Sequence, residues 1–343
     1  MTEQQKRNLM IIGAVGAGAF LAAQSWRRRS DYDFAGKSVV ITGGSRGLGL
    51  VMARELAHQG AQLTLVARSD EELDRAVDDI RARQPFAEVL PVTGDVRNRH
   101  DAERAIAQAY ERFGRIDVLI NNAGIIQVGP VAHMTLADYQ EAMDTHFWGP
   151  LYGILAVIPH MRSQGEGRIV NISSIGGRIS VPHLVPYSAS KFALAGLSDG
   201  LCYELARQNI HVTTVCPGLM RTGSPLNATF KGRHPKEFAW FAISDSLPLA
   251  TINATRAASQ ILEACRRGDA ELVITVQAKL AILARTIAPE IFAKAMTLIN
   301  GLLPQSTGVD GDTTRRGRES QSEWAPSKLT APTYRAAMEN NEM

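Results

Sequence analysis

Tyr187 and Lys191 carry acid–base chemistry and stand four positions apart in the segment VPYSASKFALAG. A phenol can protonate a carbonyl oxygen during reduction, but its ordinary pKa of about 10 suits proton exchange at neutral pH poorly. An ammonium group within about 4–6 Å stabilises the phenolate and lowers that pKa. Because positions i and i+4 share one face of a helix, we expect Lys191 to lie beside Tyr187. The pair indicates proton transfer, although chance supplies the same spacing in many chains.

Carbonyl reduction also needs a group that stabilises charge on the carbonyl oxygen. The segment NISS at positions 171–174 offers Ser173 and Ser174 at the end of a predicted strand. Neighbouring residues at a strand end point to opposite faces, so only one of the two hydroxyl groups can serve. The residues alone leave that choice open.

The segment TGGSRGLG at positions 42–49 joins a predicted strand to a predicted helix. A tight glycine turn in that setting places a helix N-terminus against phosphate. Gly43 and Gly47 permit close approaches that a Cβ atom would block, and Gly49 lets the helix pack hard against the strand. The turn therefore predicts a dinucleotide site.

These residues need a scaffold, which the pattern of residues 36–303 supplies. Seven short runs, rich in β-branched residues, alternate with longer amphipathic stretches: KSVVIT, AQLTLVA, AEVLPV, IDVLIN, GRIVNIS, IHVTTVC and ELVITV. One such stretch carries Ala102, Ala105, Ile106 and Ala109 on one helical face. Apolar strands that alternate with helices predict a parallel sheet covered on both faces. We therefore expect one doubly wound, Rossmann-type α/β domain with seven parallel strands.

Five motifs in order resemble the short-chain dehydrogenase/reductase family. They are TGGSRGLG at 42–49, NNAG at 121–124, NISS at 171–174, YSASK at 187–191 and PGLMRT at 217–222. The resemblance implies hydride transfer between a nicotinamide cofactor and a carbonyl or alcohol, with reduction favoured. It implies that Tyr187 is the acid/base, that Lys191 lowers its pKa, and that Ser174 stabilises the carbonyl oxygen. Ser174 is preferred to Ser173 because it lies 13 positions before the tyrosine, the family's usual separation.

The resemblance also implies a set of cofactor-binding residues. They are Gly43, Ser45, Arg46, Gly47, Leu48, Gly49, Arg68, Asp95, Val96, Asn122, Ala123, Gly124, Tyr187, Lys191, Pro217, Gly218 and Thr222. Arg46 and Arg68 predict NADP(H), because two guanidinium groups can clamp a 2′-phosphate where NAD-selective sites carry an acidic residue. In the family such a pair likewise marks NADP(H) preference. The alternative is that both arginines are solvated surface residues.

His146 departs from the family pattern. The family's fourth catalytic residue is usually an asparagine 25 positions after the first Asn of NNAG, and His146 stands there. In the family that asparagine holds a water in a proton relay from the lysine. A neutral imidazole has one donor and one acceptor, so it can hold water similarly, and it can titrate near physiological pH. The hypothesis is that His146 substitutes functionally; the alternative is a packed helix residue.

The two ends of the chain differ from the domain between them. Within residues 1–30, the run Leu9–Ala23 is wholly apolar and basic residues flank it on both sides. We expect residues 8–26 to anchor the protein in a membrane with the catalytic domain on the cytoplasmic side. The alternatives are a surface-lying or packed helix, a cleaved signal peptide, and a cytoplasmic protein. Residues 304–343 are polar with little periodicity and are predicted to be mostly disordered or loosely draped.

Composition and the remaining motifs narrow the function class. A net charge of +3 gives no electrostatic case for nucleic-acid binding, and the three cysteines and eight histidines show no metal-ligand spacing, so no metal is expected. The aromatic segment Gly223–Pro248, with Phe230, Phe238, Trp240 and Phe241, follows PGLMRT, where the family carries its mobile substrate-covering loop.

That segment points to a small hydrophobic carbonyl or alcohol as substrate. The family implies a homo-oligomer. Two rival readings are a catalytically weak or inactive NADP(H)-binding scaffold at a membrane and a membrane-recruitment module. The intact Ser174, Tyr187 and Lys191 argue against both, while the missing asparagine favours the scaffold.

Overall fold

A computed structural model describes residues 32–246, 251–306, 308–327 and 330–343. The chain divides into two compact units, Met1–Asp33 and Phe34–Met343, and the second is described below. The predicted anchor at residues 8–26 lies outside the described residues. In the part of the chain that is described, no helix has both the length and the apolar character needed to cross a bilayer.

The second unit is built on a seven-stranded sheet. Its strands are β1 (Ser38–Thr42), β2 (Gln62–Ala67), β3 (Val89–Thr93), β4 (Val118–Asn121), β5 (Gly167–Ile172), β6 (Ile210–Cys216) and β7 (Glu271–Val273). All pairings are parallel, in the order β7-β6-β5-β4-β1-β2-β3. The predicted doubly wound sheet is confirmed. Its central strands are apolar because helices cover them, and every residue of β4 is buried.

Helices flank this sheet. They are α1 (Gly47–His58), α2 (Asp70–Arg83), α3 (Arg99–Phe113), α4 (Leu136–Met143), α5 (Gly149–Gln164), α6 (Val185–Leu205), α7 (Ser224–Asn227), α8 (His234–Ser244), α9 (Ala254–Arg267), α10 (Val276–Ile287), α11 (Pro289–Leu302) and α12 (Ala331–Glu339). In α3 the buried residues are Ala102, Ala105, Ile106 and Ala109, the face that the sequence predicts. A single π-helical turn, Asp144–Trp148, separates α4 from α5.

The strand order determines where a ligand can lie. From β1 the sheet extends through β2 on one side and through β4 on the other, so the order in which strands are added reverses at β1. In open α/β sheets ligands bind in the crevice outside the carboxyl ends of the strands at such a switch point. Thr42 ends β1 and Asn121 ends β4. The glycine turn and NNAG therefore meet at one edge of the sheet.

A second, smaller core lies beside the carboxyl edge of the sheet, and we call it the lid cluster. Its buried members are Val128, Leu184, Leu226, Ala228, Phe230, Phe238, Phe241, Ala242, Ala325 and Ala337. Three short strands belong to the same region: Gln127–Val128, Thr229–Phe230 and Arg315–Arg316, with Thr229–Phe230 in the middle. A two-stranded ladder joins Leu219–Arg221 to Thr251–Asn253.

Residues 304–343 differ from the sequence-based expectation of a disordered or loosely draped segment. Arg315–Arg316 pairs with Thr229–Phe230, and Ala325 and Ala337 are fully buried in the lid cluster. The polar composition suggests that the segment cannot form its own core. It folds because apolar surface on the lid cluster accepts its few apolar side chains.

Candidate active site

The glycine turn begins α1 and is fixed by sterics. Gly47 is the first residue of α1 and has φ +56°, a left-handed conformation that favours glycine. A Cβ atom on Gly49 would overlap the carbonyl oxygen of Gly43. The N–H groups at the start of α1 have no partners within the helix and carry its positive dipole end. The turn is therefore a preformed anion site.

The NNAG segment holds this turn in place. The side-chain amide of Asn122 donates to the carbonyl oxygens of Thr42 and Gly43 at 3.1 Å each, and the backbone N–H of Ala123 donates to the Thr42 hydroxyl at 3.2 Å. The preceding Asn121 donates to the side chain of Asn171 at 2.8 Å inside the sheet. NNAG therefore couples the cofactor edge to the buried strands. The backbone next to Gly124 lies beside the catalytic candidates described below.

The structure distinguishes between the two serines of NISS. Ser173 is buried, and its hydroxyl donates to the backbone carbonyl oxygen of Lys191 at 2.9 Å. Ser174 begins a short 3₁₀ turn and accepts a hydrogen bond from the N–H of Gly176 at 3.0 Å, and its hydroxyl lowers the pKa of the neighbouring Tyr187. Ser173 fastens the strand to α6, whereas Ser174 lies against the phenol. The hydroxyl chosen by the resemblance is the one beside Tyr187.

Tyr187 and Lys191 lie one turn apart on α6, as the spacing predicts, but their electrostatics differ from the expectation. The Lys191 ammonium donates to the Ile172 carbonyl oxygen at 2.8 Å and lies 5.8 Å from the Tyr187 ring centroid. Burial lowers the pKa of Lys191 to about 7. Burial raises the pKa of Tyr187 to about 12, against the lowering effect of the Ser174 hydrogen bond. Burial dominates the pKa of Tyr187 in this conformation, so the lowering expected from Lys191 is not seen.

His146 is fully buried in the π-helical turn, and its hydrogen bonds define its tautomer. Nε2 accepts the backbone N–H of Ile125 at 3.1 Å, and Nδ1 lies 2.7 Å from the Ser190 hydroxyl. That hydroxyl donates its own proton to the carbonyl oxygen of Tyr187 at 2.8 Å, so it can only accept from His146. The imidazole is therefore neutral, with its proton on Nδ1. It connects the turn after NNAG to the helix that carries Tyr187.

This arrangement changes two expectations for His146. Both ring nitrogens are occupied by protein groups, so the imidazole has no donor or acceptor left to hold a relay water. Burial and the nearby Lys191 charge lower the pKa of His146 well below its ordinary value of 6.5. The expectation that His146 can titrate near physiological pH is therefore wrong. The His146 and Tyr187 rings form a T-shaped contact with their centroids 5.4 Å apart.

Arg46, one of the two arginines of the predicted phosphate clamp, is paired with an acidic residue that sequence reasoning missed. The Arg46 guanidinium donates to Glu72 at 3.2 Å and to the Asn227 side chain at 3.0 Å, and the Ser45 hydroxyl donates to Glu72 at 3.0 Å. Arg68 is exposed. Glu72 lies in the first turn of α2, where the helix dipole stabilises an acidic side chain. Its position in the sequence indicates that stabilising role and gives no sign of a contact with Arg46.

The other predicted cofactor residues border the same crevice. Asp95 and Val96 line a small cavity with Thr42, the last residue of β1, and Gly94, the residue after β3. Burial raises the pKa of Asp95, but hydrogen bonds from Arg97 outweigh burial and leave that pKa below its usual value. In the PGLMRT segment, Thr222 is buried and its hydroxyl lies 2.6 Å from that of Ser224.

Pro217 and Gly218 complete this segment. The Pro217 carbonyl oxygen accepts the N–H of Ile175, one residue after Ser174, at 2.7 Å. A Cβ atom on Gly218 would lie 2.8 Å from the Thr275 hydroxyl, so the chain passes close to the start of α10 here. Among the described residues, no cluster of three or more His, Cys, Asp or Glu side chains has the arrangement of a metal site.

Residues 340–343 lie over the glycine turn, a feature without any sequence signal. The Asn340 carbonyl oxygen accepts the N–H of Gly47 at 2.9 Å. The Glu342 carboxylate accepts the N–H of Gly223 at 2.6 Å and lies about 3 Å from where a Cβ atom of Gly47 would be. Glu342 therefore places an acidic group at the N-terminus of α1, the position that suits a phosphate.

Two buried carboxyl groups meet in this crevice. Glu342 is 6% exposed, and burial raises its pKa to about 7. Asp245 is 5% exposed, and burial together with the charge of Glu342 raises its pKa to about 8. The Asp245 charge also raises the pKa of Tyr187. The phosphate-binding edge and the acid–base pair are thus electrostatically linked.

The aromatic segment forms a packed lid over this edge. Phe230 and Phe238 are fully buried, and Tyr187 packs against the lid cluster. Under it lies a buried Glu237 whose carboxylate accepts the Trp240 indole N–H at 2.7 Å and lies 2.9 Å from Nδ1 of His183. The aromatic side chains predicted for the substrate loop therefore form a core rather than an open pocket wall. Residues 247–250 of that loop lie outside the described part.

Comparison with known proteins agrees with this geometry. The family profile described as short chain dehydrogenase matches residues 37–229, from the start of β1 to the strand Thr229–Phe230. The putative oxidoreductase SadH of Mycobacterium tuberculosis is 35% identical over 250 residues, which cover 72% of this chain and 88% of that protein. Dehydrogenase/reductase SDR family member 7B of Bos taurus is 31% identical over 292 residues, covering 84% of this chain and 88% of that protein.

A solved structure gives the same architecture. The crystal structure of L-sorbose reductase from Gluconobacter frateurii, complexed with NADPH and L-sorbose, has a TM-score of 0.64 to this chain at 24% identity. The match covers 71% of this chain and 97% of that chain. At this identity the likeness concerns the fold.

Proposed function

The chain belongs to the short-chain dehydrogenase family, and we propose that it is an NADP(H)-dependent oxidoreductase that interconverts a carbonyl and an alcohol on a small hydrophobic substrate. One observation carries this proposal: Ser174 and Tyr187 are neighbours at the carboxyl edge of the sheet, close enough for the serine hydroxyl to lower the pKa of the phenol, with Lys191 buried one helical turn from the tyrosine. The family uses a nicotinamide cofactor, which supplies or accepts the hydride when bound. Reduction is the favoured direction.

In the proposed reaction the two hydroxyl groups act on one carbonyl oxygen. Ser174 donates a hydrogen bond to that oxygen and stabilises charge that develops there. Tyr187 donates its proton to the same oxygen as the alcohol forms. A phenol with a pKa of about 12 is a weaker acid than free tyrosine, so proton transfer needs a cationic Lys191 and more solvent than the lid-covered conformation allows.

His146 acts in this proposal as a positioning residue. Its imidazole joins the Ile125 N–H to the Ser190 hydroxyl, which in turn holds the Tyr187 backbone. That chain of contacts keeps α6 aligned with the turn after NNAG. Lys191, rather than His146, is then the group whose protonation changes near neutral pH, because burial lowers its pKa to about 7.

The residues of the crevice fit a dinucleotide phosphate. The cradle at Gly47 already holds the oxygen atoms of the Glu342 carboxyl group, so phosphate oxygens have room there, and the N–H groups at the start of α1 favour an anion. Gly43, Gly47 and Gly49 would hold the pyrophosphate end, and Thr222 would contact the nicotinamide end. Occupation by a cofactor requires that Glu342 leave this position.

NADP(H) preference rests on Arg46 and Arg68. The Arg46 guanidinium already makes charge-assisted bonds to Glu72 in front of the turn, and a 2′-phosphate offers the same kind of partner. Arg68 is exposed and follows β2, where it would be the second guanidinium group available to the phosphate. Glu72 opposes the preference, because it holds both Ser45 and Arg46.

The hydrophobic character of the substrate is inferred from the surroundings of Tyr187. Tyr187 packs against the lid cluster, of which Leu184 is a member. Val181 and Trp240 pack against the same cluster. Ligand pockets are mostly apolar, with a few polar groups that fix orientation. When the lid opens, an apolar carbonyl compound would find the two hydroxyl groups as its polar contacts.

The testing experiment is a fluorescence titration of the protein with NADPH and NADH, beside an Arg46→Ala/Arg68→Ala variant. Preference for NADPH that disappears in the double variant supports the clamp; equal binding of both nucleotides refutes it. Turnover on a panel of apolar ketones and aldehydes then compares the wild type with Tyr187→Phe. The variant should bind NADPH normally and lose turnover. NADPH binding without turnover on any carbonyl would favour the non-catalytic scaffold instead.

Two further parts of the proposal concern where and in what form the enzyme works. We propose attachment to a membrane through residues 8–26 with the catalytic domain on the cytoplasmic side, and a homo-oligomeric state of the kind common in the family. A cytoplasmic location is the alternative. Fractionation of cells and sedimentation of the purified chain test the two parts separately.

A further inference from the structure

Helices α10 and α11 form a hairpin, residues 276–302, whose apolar side chains face solvent instead of the core. Ala278 is the single buried residue of α10, and α11 has none. Of the 18 large apolar side chains exposed in the described parts of the chain, eight belong to the hairpin. They are Val276, Leu280, Leu283, Ile287, Ile291, Leu298, Ile299 and Leu302. Exposed apolar side chains concentrated on one hairpin in this way are typical of a surface that contacts a partner or a membrane.

The exposed side chains form a stripe on each helix. In α10 they recur at positions i, i+4, i+7 and i+11, which is the spacing of one helix face. In α11 the same spacing relates Ile291, Leu298 and Leu302, whose side chains are 72%, 73% and 87% exposed. On α10, Arg285 instead extends its guanidinium over the Phe192 ring of α6, at 5.7 Å from the centroid. The hairpin thus contacts the domain through a few side chains and leaves its apolar stripe free.

The charges beside the stripe favour one kind of occupant. Lys279 lies three positions after Val276 and four before Leu283, so it borders the stripe, and Lys294 has the same relation to the stripe of α11. The hairpin carries three basic side chains and one acidic one. Two copies of this face in contact would bring like charges together, whereas anionic lipid headgroups would complement them.

The same chain carries another apolar segment of this kind. Leu9–Ala23 is flanked by Lys6 and Arg7 on one side and by Arg27–Arg29 on the other. If residues 8–26 lie on the surface, their binding is marginal and reversible on its own, and stable attachment of that kind usually takes two signals. A second lipid-contacting surface is consistent with that requirement.

We propose that the α10–α11 hairpin lies in the headgroup region of an anionic lipid bilayer. Its apolar stripe enters the acyl boundary, and Lys279 and Lys294 extend to the lipid phosphates, as long basic side chains do at membrane surfaces. The hairpin lies on the bilayer and does not cross it.

The test is hydrogen–deuterium exchange of the full chain, read by peptide, with phosphatidylcholine vesicles that contain or lack phosphatidylserine. Peptides from 276–302 should exchange about tenfold more slowly with the anionic vesicles. The variant Leu280→Ser/Leu298→Ser should lose this protection. The matched control Phe86→Ser/Leu136→Ser changes two exposed apolar side chains elsewhere and should keep it. Because the readout is local, lipid binding by residues 8–26 does not affect it.

Three outcomes decide the proposal. Protection that needs phosphatidylserine and disappears in Lys279→Glu/Lys294→Glu supports it. Unchanged exchange at 276–302 with either vesicle overturns it. Protection that rises with protein concentration in the absence of lipid also overturns it, since a second copy would then cover the stripe. NADPH binding measured on each variant reports the folded state, so failure of the membrane proposal is distinguishable from failure of the proposed enzymatic function.

Discussion

Deletion of residues 340–343 is expected to tighten nucleotide binding. In the structure the Asn340 carbonyl oxygen and the Glu342 carboxylate take the N–H groups of Gly47 and Gly223 at the phosphate edge. A cofactor phosphate and the Glu342 carboxylate cannot occupy the same helix N-terminus. Binding then requires that these residues withdraw, so the apparent dissociation constant is the intrinsic one divided by the fraction of molecules with the edge exposed.

The size of this effect follows from the contacts. About eight hydrogen bonds join residues 340–343 to residues outside α12, each contributing about 1 kcal/mol net. Ordering four residues costs about 1.5 kcal/mol each. The difference, about 2 kcal/mol, favours the docked segment and corresponds to roughly thirtyfold weaker apparent binding of NADPH by the full chain.

The effect should depend on pH with a defined sign. Burial raises the pKa of Glu342 to about 7 from an ordinary value of 4.5, so the docked carboxyl group holds its proton more tightly than the withdrawn one. Docking is then strongest below the ordinary pKa and weakens as the pH rises to about 7. Asp245, with a pKa raised to about 8, acts in the same direction and extends the loss. The nearby charges of Arg46 and Glu72 oppose each other at Glu342.

The assay is a fluorescence titration with NADPH on three chains: wild type, the deletion of residues 340–343, and Met343→Ala. The last change alters only an exposed side chain and should leave binding unchanged. The ratio of wild-type to deletion dissociation constants should be larger at about pH 6 than at about pH 8. Equal constants at every pH would refute competition. Weaker NADPH binding by the deletion variant would also refute competition, because it would show that residues 340–343 close over the bound nucleotide.

Three other substitutions test separate parts of the structure. Glu237→Leu should destabilise the fold by about 3–5 kcal/mol, measured by thermal unfolding, because it leaves the Trp240 indole and His183 without their buried partner; Glu237→Gln should lose much less. His146→Phe should lower kcat without changing the shape of the pH–rate profile, because His146 is neutral throughout the physiological range; a shifted profile would contradict the positioning role. Gly49→Ala should abolish NADPH binding, measured by the same titration, because its Cβ atom would overlap the Gly43 carbonyl oxygen; normal binding would contradict that steric argument.

The sheet was predictable because its strands are buried on both faces. Apolar β-branched runs that alternate with amphipathic stretches have few competing arrangements, and all seven runs became strands of one parallel sheet. Strand boundaries differed by a residue or more in several runs, as in β4, where the predicted IDVLIN begins two residues before Val118. The motifs then locate the site, since the carboxyl ends of parallel strands meet at one edge.

The folding of residues 304–343 was not predictable from composition. A polar segment without periodicity lacks a core of its own, and its order comes from partners far away in sequence. Asn340 meets Gly47, and Ala337 enters the lid cluster. A pattern within the segment cannot report such contacts. The same holds for His146, whose tautomer depends on Ile125 and Ser190.

The charges of Glu342 and Asp245 link residues 340–343 to the acid–base pair. In the docked conformation burial raises the pKa of Tyr187 to about 12 and lowers that of Lys191 to about 7, and both changes oppose proton transfer at neutral pH. The Asp245 charge raises the pKa of Tyr187, and the Glu342 charge in turn raises the pKa of Asp245. Withdrawal of Glu342 would admit solvent and remove one buried carboxyl group at the same time. The pKa of Asp245 is therefore expected to respond first to the withdrawal of Glu342, and the pKa of Tyr187 to follow through the Asp245 charge.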